Sequence, residues 1–159
     1  MLKIGDKLPE FNLKGVDSHG VEQAFTNQSF LGKHLIMYFY PKDDTPECTT
    51  ESCNFNTMLS KIKEKANVIG ISDDTANSHV AFQQKFNLKF PLLSDTNADF
   101  AKKLGLGFAK FKLTPEEFSE ATERTTLLVD KNGVVQQIWN QVKVIGHDEE
   151  VLKNLEKLG

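Results

Sequence analysis

The chain alternates between short, almost continuously apolar runs and longer stretches whose apolar residues recur three or four positions apart. HLIMYFY (34–40) is the most apolar of the runs and lies between Gly32-Lys33 and Pro41. A segment this short, aromatic and β-branched predicts a central strand buried on both faces. ANVIGIS (66–72) and TTLLVD (125–130) predict two more of the same kind. After the third, Lys131-Asn132-Gly133 leads into VVQQIW (134–139), the pattern of a hairpin. Between the runs the period lengthens. Within 45–65 the apolar positions Phe55, Met58, Leu59 and Ile62 fall at helical spacing. Ser78 to Phe86, followed by Asn87, and Asn97 to Leu104, ended by Gly105, predict shorter helices. The stretch 147–158 opens with acids and closes with lysine, as a helix dipole prefers.

The predicted order is strand, helix, strand, helix, short strand (PLLS, 91–94), helix, hairpin, helix. Such alternation implies a layered α/β fold, and the closing hairpin makes its sheet mixed. Weaker strand signals stand at EFNL and VEQAF within residues 1–30. Residues 105–123 show no clear period and are expected to form a long surface loop with a helical turn after Pro115. No repeat, low-complexity tract or break in composition marks a second domain, so one domain over 1–159 is expected.

Composition narrows the function classes. The chain has 159 residues, 39% hydrophobic and 26% charged, with a net charge of −3. That is ordinary for a soluble globular protein, and lysines interspersed with acids do not make a nucleic-acid surface. No apolar run approaches the roughly 18–20 residues that cross a bilayer. The start, MLKIGDKLPEF, lacks the plan of a signal peptide, so the expected location is the cytoplasm, where thiols stay reduced. In that setting two cysteines five apart are catalytic, redox-active or inert rather than a permanent staple. His19, His34, His79 and His147 are scattered and no second cysteine pair exists, so no metal is expected. Arg124 is the single arginine among 19 basic residues, which marks a position that needs the guanidinium fork rather than charge alone.

The candidate chemistry lies in YPKDDTPECTTESC (40–53), directly after the most buried strand, where sites collect in α/β folds. Thr45-Pro46-Glu47 reads as a helix start, with Thr as N-cap, Pro in the first helical position and an acid in the first turn. Cys48 then falls in the first turn, facing unpaired backbone N–H groups and the positive end of the dipole. Both favour the thiolate, the nucleophilic form of cysteine. A guanidinium from Arg124 would help and could also donate two hydrogen bonds to peroxide oxygens. The Thr45 hydroxyl is close enough in sequence to hold a peroxide oxygen or to serve as the cap. Asp43 and Asp44 are expected to be solvated turn residues. Phe39, Phe108 and Phe111 are candidates for an apolar rim, which would favour organic hydroperoxides.

Residues five apart on an intact helix are separated by about 7.5 Å of rise and roughly 140° of rotation, a Cα separation near 8–9 Å. A disulfide needs about 4.4–6.8 Å. If Cys48 and Cys53 pair, the helix around them must unwind, which makes the segment a switch. The chemistry suits the oxidation ladder, from thiolate to sulfenic acid to disulfide, with a dithiol reopening the bond.

Pro41, Thr45 and Cys48 stand in the spacing PxxxTxxC, and Tyr40 to Glu51 as a whole resembles the peroxiredoxin signature. The second cysteine five residues on, GDKLPEFNL near the start, Arg124 in ERTTLLVDKNG and VKVIGHDEEVLKNLEKL at the end resemble the bacterioferritin comigratory protein or peroxiredoxin Q subgroup. The resemblance covers nearly the whole chain. It implies a thioredoxin-like fold, a central mixed β-sheet flanked by helices, with an N-terminal extension. It implies a peroxidatic Cys48 and a resolving Cys53 that form an intramolecular disulfide. Thr45 would hydrogen-bond peroxide and thiolate, Arg124 would activate both, and Pro41 would shape the pocket. It further implies hydrogen peroxide and organic hydroperoxides as substrates, thioredoxin or a similar dithiol protein as reductant, no cofactor, and a monomer. Glu47 departs from the Gly common before the peroxidatic cysteine, and on a first helical turn it is expected to face solvent. A reading from a different class is a redox-sensing module that uses the same switch without turnover, and it differs in reacting only once.

Overall fold

The structure, a computed structural model, describes residues 1–159 except 63, 113, 114 and 117, together with all side chains but those of 111, 112, 118 and 119. Seven strands make one sheet in the order β2-β1-β5-β4-β3-β8-β9. The elements are β1 Asn12–Val16, β2 Glu22–Thr26, β3 His34–Phe39, α1 Pro46–Ile62, β4 Ala66–Ser72, α2 Ala76–Phe86, β5 Leu92–Ser94 and α3 Asp99–Leu104. They are followed by β6 Phe108–Lys112, β7 Phe118–Thr122, β8 Thr125–Val129, β9 Val135–Trp139 and α4 His147–Glu156. β3 pairs in parallel with β4, and β4 with β5, whereas β8 runs antiparallel to β3 and β9 antiparallel to β8. The sheet is therefore mixed, and the two weak N-terminal signals are its antiparallel edge.

β3 lies at the centre with every residue buried, as a strand covered on both faces must. Its side chains alternate between two cores. Leu35, Met37 and Phe39 join Phe100, Ala101 and Leu104 of α3 and the N-terminal Leu8, Phe11, Phe25 and Phe30. Ile36, Tyr38 and Tyr40 join Phe55, Met58 and Ile62 of α1, Phe82 of α2 and Val151 and Leu155 of α4. Phe39 is thus core, not rim. Each such side chain taken from water contributes about 1.5–3 kcal/mol before entropy is counted. Gly70 in β4 makes room for this packing: a Cβ there would come within 2.8 Å of the Tyr38 hydroxyl.

Local chemistry sets the ends. α2 starts two residues earlier than its apolar pattern, because the Thr75 hydroxyl caps it by accepting from Ser78 N at 3.2 Å. α3 starts later, because Asn97 and Ala98 take left-handed φ of 58° and 56°. The Asp95 carboxylate caps it, accepting from Phe100 N and Ala101 N at 2.8 and 2.9 Å.

The expected loop over 105–123 is corrected. Its described residues hold an antiparallel ribbon, β6 against β7, with Phe108 opposite Thr122. The ribbon is a separate two-stranded sheet whose described side chains are mostly exposed, and its sequence lacks the apolar alternation that announces a strand. The expected helical turn after Pro115 falls partly outside the described residues.

Candidate active site

β3 delivers Tyr40 to its C-terminal end, and the chain turns through Pro41–Thr45 into α1. Asp44 makes the turn with a left-handed φ of 57°. The Thr45 carbonyl accepts from Thr49 N at 2.8 Å, which places Thr45 at the N-cap position. Its hydroxyl does not cap the helix. It donates to the Lys42 carbonyl at 2.8 Å, so it braces the turn instead.

Cys48 lies in the first turn of α1 and is 1% exposed. Arg124 reaches it from the link between β7 and β8, Nη2 donating to Cys48 Sγ at 3.4 Å. The same guanidinium donates through Nη1 to Glu51 Oε1 at 2.7 Å. Glu47 Oε2 stands 3.7 Å from Nη2, with its side chain 80% exposed. Glu47 therefore faces solvent, as expected, while touching the rim of the charge cluster. Arg124 pairs with these two acids of α1 and not with its sequence neighbour Glu123.

Glu51 was not anticipated as a site residue, although its position three beyond Cys48 puts both on one helical face. Burial pushes its carboxyl up to about 7, against the opposing pull of Arg124. Burial by itself disfavours charge on Arg124, but the Glu51 carboxylate and Cys48 sulfur outweigh it and raise its pKa. The arginine thus stays cationic beside the sulfur. A cation and a helix N-terminus converge on one nucleophile, an arrangement suited to a thiolate and to an attack in which negative charge passes to a leaving oxygen.

Cys53 lies on the same helix, half-buried, and both thiols are free. Burial raises its pKa, which disfavours its thiolate. Between the two, Ser52 is fully buried and its Oγ lies 2.7 Å from the Tyr38 hydroxyl. Pro41 lines a cavity of about 370 Å³ with Tyr40, Lys42, Lys102, Phe108 and Thr122, and neither Cys48 nor Arg124 borders it. Phe108 is 36% exposed there, while the side chain of Phe111 lies outside the described residues.

The adjacent aspartates behave differently from each other. Asp44 is exposed and pairs with Lys85 at 2.8 Å. Asp43, expected to be solvated, is 6% exposed. Its carboxylate accepts from the Tyr40 and Ser78 hydroxyls and meets His79 Nδ1 at 2.7 Å. The D-D pair reads as a turn because the polar lining that receives Asp43 comes from α2, some 35 residues on. Among the described residues no group of three or more His, Cys, Asp or Glu side chains is placed to hold a metal. No helix among them is long and apolar enough to cross a membrane.

Comparison with known proteins gives the family and the fold. Residues 4–138 match the AhpC/TSA family. Peroxiredoxin Bcp of Bacillus subtilis is 38% identical over 160 residues, covering 99% of this chain and 97% of its own. The structure of peroxiredoxin Q from Xylella fastidiosa superposes with a TM-score of 0.84 at 34% identity, covering 99% and 98% of the two chains. That of the bacterioferritin comigratory protein of Xanthomonas campestris, described with alkyl peroxide reduction activity, gives 0.77 at 34% identity over 92% and 91%. The mixed sheet with helices on both faces is accordingly a thioredoxin-like fold. The chain belongs to the AhpC/TSA family as a peroxiredoxin of the Bcp and peroxiredoxin Q group, and its activity is that of a thiol peroxidase.

Proposed function

We propose that Cys48 carries the peroxidase chemistry and that Cys53 resolves it. The observation that supports this reading most directly is Arg124 Nη2 at 3.4 Å from Cys48 Sγ in the first turn of α1. The Cys48 thiolate attacks one oxygen of a hydroperoxide, the O–O bond breaks, and the other oxygen leaves as an alcohol or water after taking a proton. Cys48 is oxidised by two electrons to the sulfenic acid. Arg124 holds the peroxide oxygens and receives the charge that develops on the leaving one. Thr45 and Pro41 shape the approach. The Cys53 thiol then attacks the sulfenic sulfur, water leaves, and a disulfide closes within the chain. α1 unwinds around 48–53 to allow it, since an intact helix holds the two Cα atoms about 8–9 Å apart. A thioredoxin-like dithiol returns the two electrons by exchange. Hydrogen peroxide and alkyl hydroperoxides are the substrate class, the latter supported by the Xanthomonas relative. The cytoplasm is the setting in which such a dithiol cycle operates.

The test is a thiol count on reduced protein titrated with hydrogen peroxide, alongside Cys48→Ser and Cys53→Ser. The expected result is loss of both thiols at one equivalent in the parent, no loss in Cys48→Ser, and a trappable sulfenic acid in Cys53→Ser. Thiols that persist for hours in excess peroxide would sink the reading.

A further inference from the structure

The turn that carries Pro41 and Thr45 is held mostly from outside the helix it precedes. Asp43 N donates to Asp74 Oδ2 at 2.8 Å, and Ser72 Oγ donates to the same oxygen at 2.6 Å. Asp44 is bound by Lys85 of α2. The Asp43 carboxylate turns inward, receives the hydroxyls of Tyr40 and Ser78, and faces His79 of α2.

His79 is completely buried, and its two ring nitrogens have unlike surroundings. Nε2 lies 3.1 Å from the Leu93 carbonyl, which can only accept, so Nε2 carries a proton. Nδ1 lies 2.7 Å from Asp43 Oδ2, an ion-pair contact without the alignment of a hydrogen bond. The contact is a close polar one inside the core, and the Tyr40 and Ser78 hydroxyls complete the groups that hold the Asp43 carboxylate against α2. Asp43 faces this ring directly and Asp74 stands behind it; Lys42 and Lys85 lie at the exposed side of the same turn. A buried polar pair is costly to break from one side, because the survivor is left in the core without its partner.

We propose that His79, acting through Asp43, is a positioning residue for the step in which Cys48 reduces peroxide. The pair clamps the Pro41–Thr45 turn to α2 and to the end of β4, and so fixes Pro41 and Thr45 relative to Cys48. The ties of the clamp join the turn before α1 to Tyr40 and to residues that follow α1, and none involves a residue of α1 itself. When α1 unwinds for the disulfide, the clamp stays closed and forms the fixed boundary of the mobile segment. This rests on the peroxidase reading above. A displacement of about 1 Å in groups that orient a substrate can cost on the order of a hundredfold in rate, and that sets the size of the expected effect.

The experiment separates the two thiol steps. Oxidation of Cys48 by hydrogen peroxide is timed by single-turnover kinetics in a Cys53→Ser background, and disulfide closure is timed in the parent background. Asp43→Asn and His79→Phe are each expected to slow oxidation by about ten- to a hundredfold, with closure within about twofold of the parent. Asp43→Asn combined with His79→Gln, which restores an uncharged donor–acceptor pair, should recover most of the rate. A merely structural histidine would lower the melting temperature without that split or that rescue. Parental oxidation rates in both variants, or equal slowing of both steps, overturn the proposal. If His79→Phe does not fold, Asp43→Asn and Ser78→Ala carry the same kinetic test. A parent that leaves Cys48 reduced in excess peroxide overturns the peroxidase reading itself, an outcome distinct from variants that match an active parent.

Discussion

Glu51 stands one helical turn beyond Cys48 and holds Arg124 at 2.7 Å through Oε1, while its Oε2 is buried without a hydrogen-bond partner. The carboxylate is thus both the anchor of the guanidinium and a desolvated charge. An arginine held by one arm presents its other arm to the sulfur in a fixed direction, which a free side chain would not do.

The raised pKa of Glu51 has a signed consequence for stability. Unfolded, the group ionises near its ordinary value of 4.5; folded, near about 7. Between those values the folded state binds the extra proton. The contribution of this group to stability is then complete below about pH 4.5, is lost as pH rises through 7, and is flat beyond. Glu51→Gln should remove that part of the pH dependence. Denaturant midpoints of parent and variant across pH 5–8 check it, and parallel curves would show that Glu51 ionises in the fold as it does in the open chain.

Arg124→Lys keeps the charge and loses the fork. One ammonium cannot hold Glu51 at one arm and the sulfur at the other in fixed planar geometry. Oxidation of Cys48 should slow by about 10²–10³-fold, the scale of removing one preorganised donor from a developing oxyanion. Stopped-flow measurement of the single-turnover rate decides it, and a loss below threefold would mean that charge alone suffices.

The central strands β3, β4 and β8 are legible in the sequence because they are buried on both faces and read as apolar runs, whereas the edge strands β1 and β2 give weaker signals. The Cys48–Arg124 contact is legible only in part. A T-P-E-C helix start advertises a nucleophile, but nothing local connects it to an arginine 76 residues away. That link needs β8 to lie antiparallel to β3, with Phe39 opposite Thr125. Asp43 and His79 are illegible for the same reason, since their meaning depends on α2 packing against the turn. The β6–β7 ribbon escapes because, among its described side chains, Thr122 alone is buried and leaves no period. The Thr45 hydroxyl braces the turn by donating to the Lys42 carbonyl rather than capping α1, a choice that the T-P-E start alone does not reveal.

Gly70→Ala tests how tightly α1 is seated. The added methyl would stand 2.8 Å from the Tyr38 hydroxyl and 2.9 Å from Leu92 Cδ2, closer than such atoms pack. Tyr38 must shift or the sheet must spread, at a cost of about 1–3 kcal/mol for overpacking. The variant should melt earlier in the dithiol form, as circular dichroism would show, and an unchanged melting temperature would mean that the Tyr38 ring has slack.

The bond between Tyr38 and Ser52 should set part of the redox potential. Both residues are fully buried, and Ser52 lies inside the segment that the proposed Cys48–Cys53 disulfide would unwind. On that proposal the bond belongs to the dithiol form alone. Tyr38→Phe keeps the ring against Phe55, whose centroid lies 4.8 Å away, and leaves the Ser52 hydroxyl buried without a partner. That costs the dithiol form about 1–3 kcal/mol and the disulfide form little. Weakening the reduced state alone makes reduction harder, so the midpoint moves to more negative values. For a two-electron couple about 1.4 kcal/mol corresponds to about 30 mV, which gives a shift of about 20–60 mV. Equilibration of parent and variant against a dithiol buffer, read by thiol trapping, measures it directly. An unmoved midpoint would show that Ser52 keeps its partner in the disulfide form, and with it that α1 does not unwind as far as Ser52.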